Sequence, residues 1–119
     1  MLLAGIGGFF GTCCRFLTNK LFGIYFKTTL PWATFTVNVL GCLILGIIIG
    51  LLNKSGIVSP KINSLFVVGF CGGLTTFSTF SYEIFSMGIN GQALMSCFYI
   101  AASLIMGLIA VWIGVQITQ

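Results

Sequence analysis

Residues 69–83 read GFCGGLTTFSTFSYE, and this stretch lies inside a long apolar segment of the 119-residue chain. The adjacent glycines Gly72 and Gly73 are followed by the β-branched pair Thr75 and Thr76, and both residue types are weak helix formers. A helix broken here leaves backbone carbonyl and N–H groups that lipid cannot satisfy, so protein, ions or water must do so. The alternative is a continuous helix whose glycines allow tight packing and whose hydroxyls bond to carbonyls one turn earlier.

The composition around this stretch is that of a membrane protein. The chain is 58% hydrophobic and 5% charged, whereas soluble domains carry roughly 25% charged residues. A helix of about 20 residues crosses the hydrocarbon region. Four segments reach this length, at about residues 2–26, 30–52, 62–87 and 92–117. The sequence therefore predicts an all-α membrane protein, a single domain over residues 1–119 with four transmembrane helices, the third broken mid-membrane.

The same composition excludes several classes of function. The chain has no His, a single acidic residue, Glu83, and five dispersed Lys and Arg residues. General acid-base catalysis needs titratable groups placed together, and nucleic-acid binding needs clustered cations. We therefore predict neither an enzyme nor a nucleic-acid-binding protein. The five cysteines lie in apolar stretches without C-x-x-C spacing, which indicates small buried hydrophobes rather than metal ligands or disulfides.

The lysines in and near the connections are evenly divided between the two sides of the membrane. Lys54 and Lys61 lie in the second connection, on the side of the termini, while Lys20 and Lys27 lie on the other side. Orientation is normally set by an excess of Lys and Arg in cytoplasmic loops. Unless Arg15 tips this count, the chain can insert both ways, and two opposed copies form an antiparallel, dual-topology dimer. The alternative is a fixed orientation set by another feature.

Two aromatic residues follow the predicted break. Phe77 and Phe80 are three residues apart and share a helix face, while Ser78 and Thr79 turn their hydroxyls toward neighbouring faces. The edge of an aromatic ring is positive, so ring edges can line the path of an anion. Packing against lipid or neighbouring helices is the other explanation of the Phe pair.

Other polar residues lie inside the apolar segments and must find partners there. Asn38 serves either as an interhelical hydrogen-bonding group or as a donor to an anion in a wet vestibule. Arg15 either snorkels to a helix end or stands at a pore mouth. Glu83 marks either a vestibule rim or the point where its helix reaches solvent. Tyr99 and Ser103 form a short hydroxyl stripe on the last segment.

Three stretches resemble the CrcB/Fluc family of fluoride channels, and the resemblance covers essentially the whole chain. They are residues 7–16, GGFFGTCCRF, residues 36–41, TVNVLG, and residues 69–81, GFCGGLTTFSTFS. The resemblance implies a passive fluoride channel of the cell membrane that exports fluoride and lowers its cytoplasmic concentration. It also implies a dual-topology dimer, of identical or homologous chains, with two antiparallel pores and a central sodium ion held by main-chain carbonyls.

The resemblance assigns roles to individual residues. The sodium carbonyls correspond to Gly72 and Gly73, the ring pair lining the pores to Phe77 and Phe80, and the vestibule donor to Asn38. The remaining candidates are Thr75 and Thr76 at the break, Ser78 and Thr79 on the polar wall, Tyr99 and Ser103 in a polar track, and Arg15 and Glu83 near the vestibule. The chain departs from the family in two ways: Gly73 stands where members often have Thr, and Gly107 and Val111 continue the track without hydroxyls.

Two other classes of protein share some of these features. A proton-coupled small multidrug exporter has the same size, number of spans and dual topology. Such an exporter needs a carboxylate in its first helix, where this chain has Arg15 and no acid. A structural subunit without transport would use Asn38 and the broken helix for packing alone.

Overall fold

The computed structural model describes residues 1–57 and 59–119, and this part of the chain contains helices and no strand. Helix α1 covers Leu2–Tyr25, α2 covers Trp32–Ser55, and α3 covers residues 60–74. Within α3, the segment Asn63–Cys71 is π-helical. Helix α4 covers Phe77–Ile89 and α5 covers Ala93–Thr118. The predicted helical class is confirmed, and the helix ends lie within three residues of the predicted segment ends.

Three stretches in the described residues are long and apolar enough to cross a membrane: Trp32–Ser55, Pro60–Ile89 and Ala93–Thr118. Helix α1 has the length, with 24 residues, but Arg15, Asn19 and Lys20 reduce its hydropathy and it is not among the three. The prediction of membrane-crossing helices is therefore confirmed for α2, for the α3–α4 pair and for α5. That α1 also crosses the bilayer remains a prediction.

The helices pack in two pairs through glycines. On α1, Gly7 and Gly11 are buried and face the backbone of α3, while a Cβ on Gly69 of α3 would lie 2.7 Å from the Ala4 carbonyl oxygen. Helices α2 and α5 meet in the same way, with Gly46 and Gly114 against the partner backbone. Close backbone contact of this kind stabilises helix pairs in lipid, where apolar burial gives no net drive.

The third apolar segment is interrupted at Thr75 and Thr76, which lie between α3 and α4. Both residues have extended backbones, with φ −79° and ψ 157° at Thr75 and φ −148° and ψ 118° at Thr76. Gly72 and Gly73 remain helical. A Cβ on Gly73 would lie 2.6 Å from the Gly8 carbonyl oxygen, so this glycine serves the contact with α1. The helix breaks at the threonines, and the preceding glycines allow α1 to approach.

The cysteines are distributed differently from the prediction. All five are free thiols, but Cys13, Cys14 and Cys97 are exposed, Cys42 is half-buried and Cys71 is buried. The prediction that they are buried inside the protein is wrong for the three exposed residues. A small apolar side chain is tolerated on the outer face of a membrane helix because that face contacts lipid instead of water.

Candidate functional site

Side chains from α2 and α1 bind the backbone of the break. The Asn38 Oδ1 accepts a hydrogen bond from the Thr76 N–H at 2.8 Å, and the Asn38 Nδ2 donates to the Thr76 carbonyl at 3.4 Å. The Arg15 Nη1 donates to the Thr75 carbonyl at 3.4 Å. Asn38 is thus an interhelical hydrogen-bonding residue. Since its amide carries two N–H donors, one remains without a protein acceptor in the described part of the chain.

The two threonine hydroxyls end one helix and begin the next. The Thr75 Oγ1 donates to the Cys71 carbonyl at 2.8 Å, within the last turn of α3. The Thr76 Oγ1 accepts from the Thr79 N–H at 3.3 Å, which caps α4, and donates to the Thr79 Oγ1 at 3.0 Å. The Thr75 hydroxyl adds a second hydrogen bond to a carbonyl that already accepts from the Thr75 N–H at 2.9 Å. The Thr76 hydroxyl supplies the Thr79 N–H with the acceptor that a continuous helix would provide.

The break also releases the carbonyls of the glycine pair. In a continuous α-helix the Gly72 carbonyl accepts from the N–H four residues later, that of Thr76. Here the Thr76 N–H is donated to Asn38. The extended backbone at Thr75 and Thr76 likewise takes the Phe77 N–H out of register with the Gly73 carbonyl. Gly72 is exposed and Gly73 is half-buried.

An open cavity of about 440 Å³, here called the groove, lies beside the break between α2, α3, α4 and α5. It brings together seven of the residues predicted from the sequence, namely Asn38, Gly72, Thr75, Thr76, Phe77, Phe80 and Ser103. Its other lining residues are Gly41, Cys42, Leu45, Val67, Cys71 and Leu104. The groove therefore combines a few polar groups with a mostly apolar wall, as ligand sites usually do.

The two phenylalanines lie at one edge of the groove. The ring centroids of Phe77 and Phe80 are 6.3 Å apart, as expected for residues on one face of α4. Phe80 is half-buried, and its ring centroid lies 5.1 Å from that of Tyr99. The Phe77 side chain is 80% exposed. Phe80 is thus held in place by contacts within its own chain. The Phe77 ring lies on the outer surface of the single chain, where lipid or another chain can contact it.

Ser103 supplies an unpaired hydroxyl to the groove. Its Oγ is buried and has no hydrogen-bond partner in residues 1–57 and 59–119. Leaving a buried polar group unsatisfied costs about 1–3 kcal/mol. A hydroxyl that lines a cavity without a protein partner is available to a ligand or to water.

A second polar cluster surrounds Glu83 on α4. The Thr34 Oγ1 donates to Glu83 Oε1 at 2.6 Å, and the Tyr99 hydroxyl donates to Glu83 Oε2 at 2.9 Å. Beside them lies a smaller cavity of about 140 Å³, whose lining includes Asn19, Thr34 and Glu83. Glu83 therefore does not simply reach solvent. Because Tyr99 packs on Phe80, this cluster adjoins the groove.

Thr34 is a residue of this cluster that is absent from the sequence-based predictions, although the sequence carries a signal for it. It lies four residues before Asn38 and is only 2% exposed, so the two polar side chains share one face of α2. A second hydroxyl in register with a buried Asn indicates a polar face, whereas an isolated Thr in a membrane helix does not.

Several predicted residues lie outside the groove. Ser78 and Thr79 are exposed on α4, and Gly73 packs on α1. Arg15 contacts the break from the α1 side. Tyr99 and Glu83 belong to the adjoining polar cluster. The roles assigned to all of these residues remain predictions.

Long apolar helices, one of them interrupted beside a groove that holds a few polar groups, define a multi-pass helical membrane protein. The family model described as "CrcB-like protein, Camphor Resistance (CrcB)" matches residues 2–115, and the chain belongs to this family. The resemblance found in the sequence is therefore confirmed.

Similar proteins match the chain over nearly its whole length. One from Flavobacterium psychrophilum is 40% identical over 114 residues, covering 96% of this chain and 92% of the relative. One from Chlorobium phaeobacteroides is 38% identical, covering 100% of this chain and 92% of the relative. One from Gloeothece citriformis is 40% identical, covering 100% and 96%. Each is named "Fluoride-specific ion channel FluC".

Proposed function

We propose that this chain is a fluoride-selective ion channel that lets fluoride leave the cytoplasm passively across the cell membrane. The names of its relatives support this function. They are named as ion channels and not as enzymes, in agreement with the prediction that the chain has no catalytic activity. The structural observation that carries the proposal is the groove, where the unpaired Ser103 hydroxyl, an Asn38 N–H and the Phe80 ring line one cavity.

The groove suits a small, strongly hydrated anion because its polar groups are neutral. The Asn38 amide and the Ser103 hydroxyl can donate hydrogen bonds in place of water, and the edges of Phe77 and Phe80 offer positive electrostatic potential. No Lys, Arg or acidic side chain lines the groove in the described residues. Neutral donors bind an anion weakly enough to release it, which rapid conduction requires.

In this proposal α1 also crosses the membrane, which brings the number of transmembrane spans to four. Its 24 residues correspond to about 36 Å at 1.5 Å per residue, enough to cross the hydrocarbon region. It packs along α3 through Gly7 and Gly11. Of its two charged residues, Arg15 and Lys20, Arg15 donates to the Thr75 carbonyl, as expected for a charge inside a membrane bundle.

The functional unit is an antiparallel dimer of this chain with an identical or homologous copy. The groove is open, and the Phe77 ring is 80% exposed beside it. A second copy would close the groove and cover this ring. The even division of Lys54 and Lys61 against Lys20 and Lys27 supports insertion in both orientations.

The residues at the break fit the sodium ion that the family implies. The carbonyls of Gly72 and Gly73 lose their helical donors, and backbone oxygens are suitable ligands for a hard cation. Two carbonyls fill only part of the ion's coordination sphere. In this proposal the second copy supplies the same carbonyls, so the ion would lie at the contact between the two copies. A bound sodium ion would add positive potential near the anion path.

Fluoride efflux from proteoliposomes tests the function. We expect rapid, electrogenic fluoride release measured with a fluoride electrode, and no comparable chloride release. Phe80→Ile should remove most of the flux because it replaces the ring that the chain fixes beside the groove. Phe16→Ile is the control, because Phe16 is 69% exposed on α1, away from the groove. Absence of fluoride flux from monodisperse protein would contradict the proposal.

The small multidrug exporter is not favoured. The chain's one acidic residue, Glu83, lies on α4 and is hydrogen-bonded by Thr34 and Tyr99. In the efflux assay a proton-coupled exporter would require a pH gradient, whereas the channel requires only a fluoride gradient and a route for charge balance.

A further inference from the structure

Two thiols occur in the wall of the groove. Cys42 projects from α2 and Cys71 ends the π-helical segment of α3, and both line the same cavity without forming a disulfide. Cys71 is 5% exposed and Cys42 is half-buried. Cys13, Cys14 and Cys97 line neither the groove nor the two smaller cavities beside α2 in the described residues. The groove therefore holds a thiol pair with a chemistry that fluoride conduction does not use.

We propose that Cys42 and Cys71 together bind one thiophilic divalent metal ion of the Hg²⁺ type, and that the bound ion blocks the groove. The binding part depends only on the thiol pair. The blocking part rests on the proposed channel function.

The chemistry of the pair fits this class of ion. Thiolate sulfur is a soft ligand that selects soft metals, whereas hard cations take oxygen ligands. Each thiol releases its proton to water, one sulfur–metal bond forms at each cysteine, and no oxidant or reductant is needed. Two thiolates and one divalent ion give a neutral complex. Neutrality matters because an uncompensated charge in a largely apolar groove is very costly.

The positions of the two cysteines explain why a bound ion would obstruct the groove. Cys42 lies four residues after Asn38, so both side chains share one face of α2. The Cys42 Sγ also lies 3.5 Å from the position that a Cβ on Gly107 would occupy, one turn after Ser103 on α5. Cys71 directly precedes Gly72, and its carbonyl accepts hydrogen bonds from Thr75. A metal held between the thiols would lie among the neutral donors proposed for fluoride.

The binding experiment uses the full chain in detergent, with the outer thiols removed. The parent variant carries Cys13→Ser, Cys14→Ser and Cys97→Ser, and two further variants add Cys42→Ser or Cys71→Ser. Each protein is incubated with HgCl₂, washed with a monothiol competitor that removes mercury held by only one protein thiolate, and desalted, and mercury is measured by mass spectrometry. We expect one mercury per chain in the parent, and loss of retained mercury when either groove thiol is replaced. Two mercury ions per parent chain, or retention by both single-thiol variants, would overturn the shared site.

The flux experiment uses the same variants in proteoliposomes, each compared with its own flux before mercury is added. Mercury should remove most of the fluoride efflux in the parent and little in the Cys42→Ser and Cys71→Ser variants, and excess dithiothreitol should restore it. Unchanged flux in mercury-loaded parent protein would overturn the block. Absence of fluoride flux before mercury is added would instead contradict the channel function and leave the binding result standing.

Discussion

At the scale of single residues, the site depends on neutral polar groups held in place by the fold. Asn38 binds both backbone groups of Thr76, and in doing so it sets the position of the break. Ser103 lies in the same groove with a buried, unpaired hydroxyl. Asn38 is therefore mainly a positioning residue whose second amide N–H is not bonded within residues 1–57 and 59–119. The Ser103 hydroxyl makes no hydrogen bond within the same residues.

Asn38→Asp tests the amide without changing the size of the side chain. The carboxylate can still accept from the Thr76 N–H, but it cannot donate to the Thr76 carbonyl and it adds a negative charge to the groove. We expect folded protein with fluoride efflux reduced by about tenfold or more, since 1.4 kcal/mol of lost stabilisation already corresponds to a factor of ten. Asn63→Asp, at an exposed position of α3, is the control. Equal efflux from the two variants would contradict the role of the amide.

Ser103→Ala should separate stability from conduction. Removing a buried hydroxyl that has no partner in the described residues should raise the free energy of unfolding by about 1 kcal/mol. We therefore expect a higher thermal midpoint in detergent and a reduced fluoride efflux. Ser96 on the same helix donates to the Ile84 carbonyl at 3.3 Å, so Ser96→Ala should lower the midpoint instead. Thermal unfolding and efflux measured on both proteins check this. A lowered midpoint for Ser103→Ala would mean that its hydroxyl is already bound within the protein.

At the scale of helices, the fold depends on close contact between α1 and α3. Gly7, Gly11 and Gly69 bring the two backbones together, and Gly73 extends the contact almost to the break. Arg15 then reaches the Thr75 carbonyl from α1. The glycine contact therefore positions a charge that would otherwise face lipid, and it ties the geometry of the break to α1.

Gly69→Ala should disrupt this contact. The added Cβ would lie 2.7 Å from the Ala4 carbonyl oxygen, a backbone atom that cannot move aside alone. Gly23→Ala is the matched control, because no atom of the described part of the chain lies within 4 Å of the added Cβ. We expect most of the Gly69→Ala protein to aggregate, so that little monodisperse protein is recovered. The free energy of unfolding of Gly23→Ala should rise by about 0.5–1 kcal/mol, because Ala is the better helix former. Size-exclusion profiles and thermal midpoints measure both effects, and equal behaviour would contradict the packing.

The sequence predicts the helices and the region of the break because these depend on local composition and spacing. It does not predict which residues of GGLTT leave the helix. Gly73 stays helical because it packs against Gly8 of α1, and Thr76 becomes extended where Asn38 can bind it. These contacts join residues far apart in the chain. The pairing of Glu83 with Thr34 is of the same kind. The spacing of Thr34 and Asn38 indicates a polar face of α2, but it does not predict that Glu83 lies opposite that face.

At the scale of the whole molecule, one chain is elongated, with extents of 49 × 28 × 23 Å. The long dimension exceeds the roughly 30 Å of hydrocarbon, so the helices are long enough to place their ends at the two membrane interfaces. The groove, however, is open along one chain. In the proposed assembly, a second copy in the opposite orientation closes it.

The division of the lysines between the two sides predicts which substitutions bias the membrane orientation of the chain. With Lys54→Gln and Lys61→Gln, the remaining Lys20 and Lys27 should hold their side in the cytoplasm. Protease accessibility of a C-terminal tag on intact cells should change from partial in the natural chain to nearly complete. Fluoride efflux should fall and recover on co-expression with Lys20→Gln and Lys27→Gln, which favours the opposite orientation. A single orientation in the natural chain would contradict dual topology.

The most direct test of the account is the reversal potential of single channels in a planar bilayer with a fluoride gradient against symmetric chloride. If neutral donors and ring edges in the groove replace the hydration shell of fluoride, current reverses at the Nernst potential of fluoride, and Phe80→Ile removes the current. A reversal potential at zero, or one that follows chloride when the gradients are exchanged, would contradict the account.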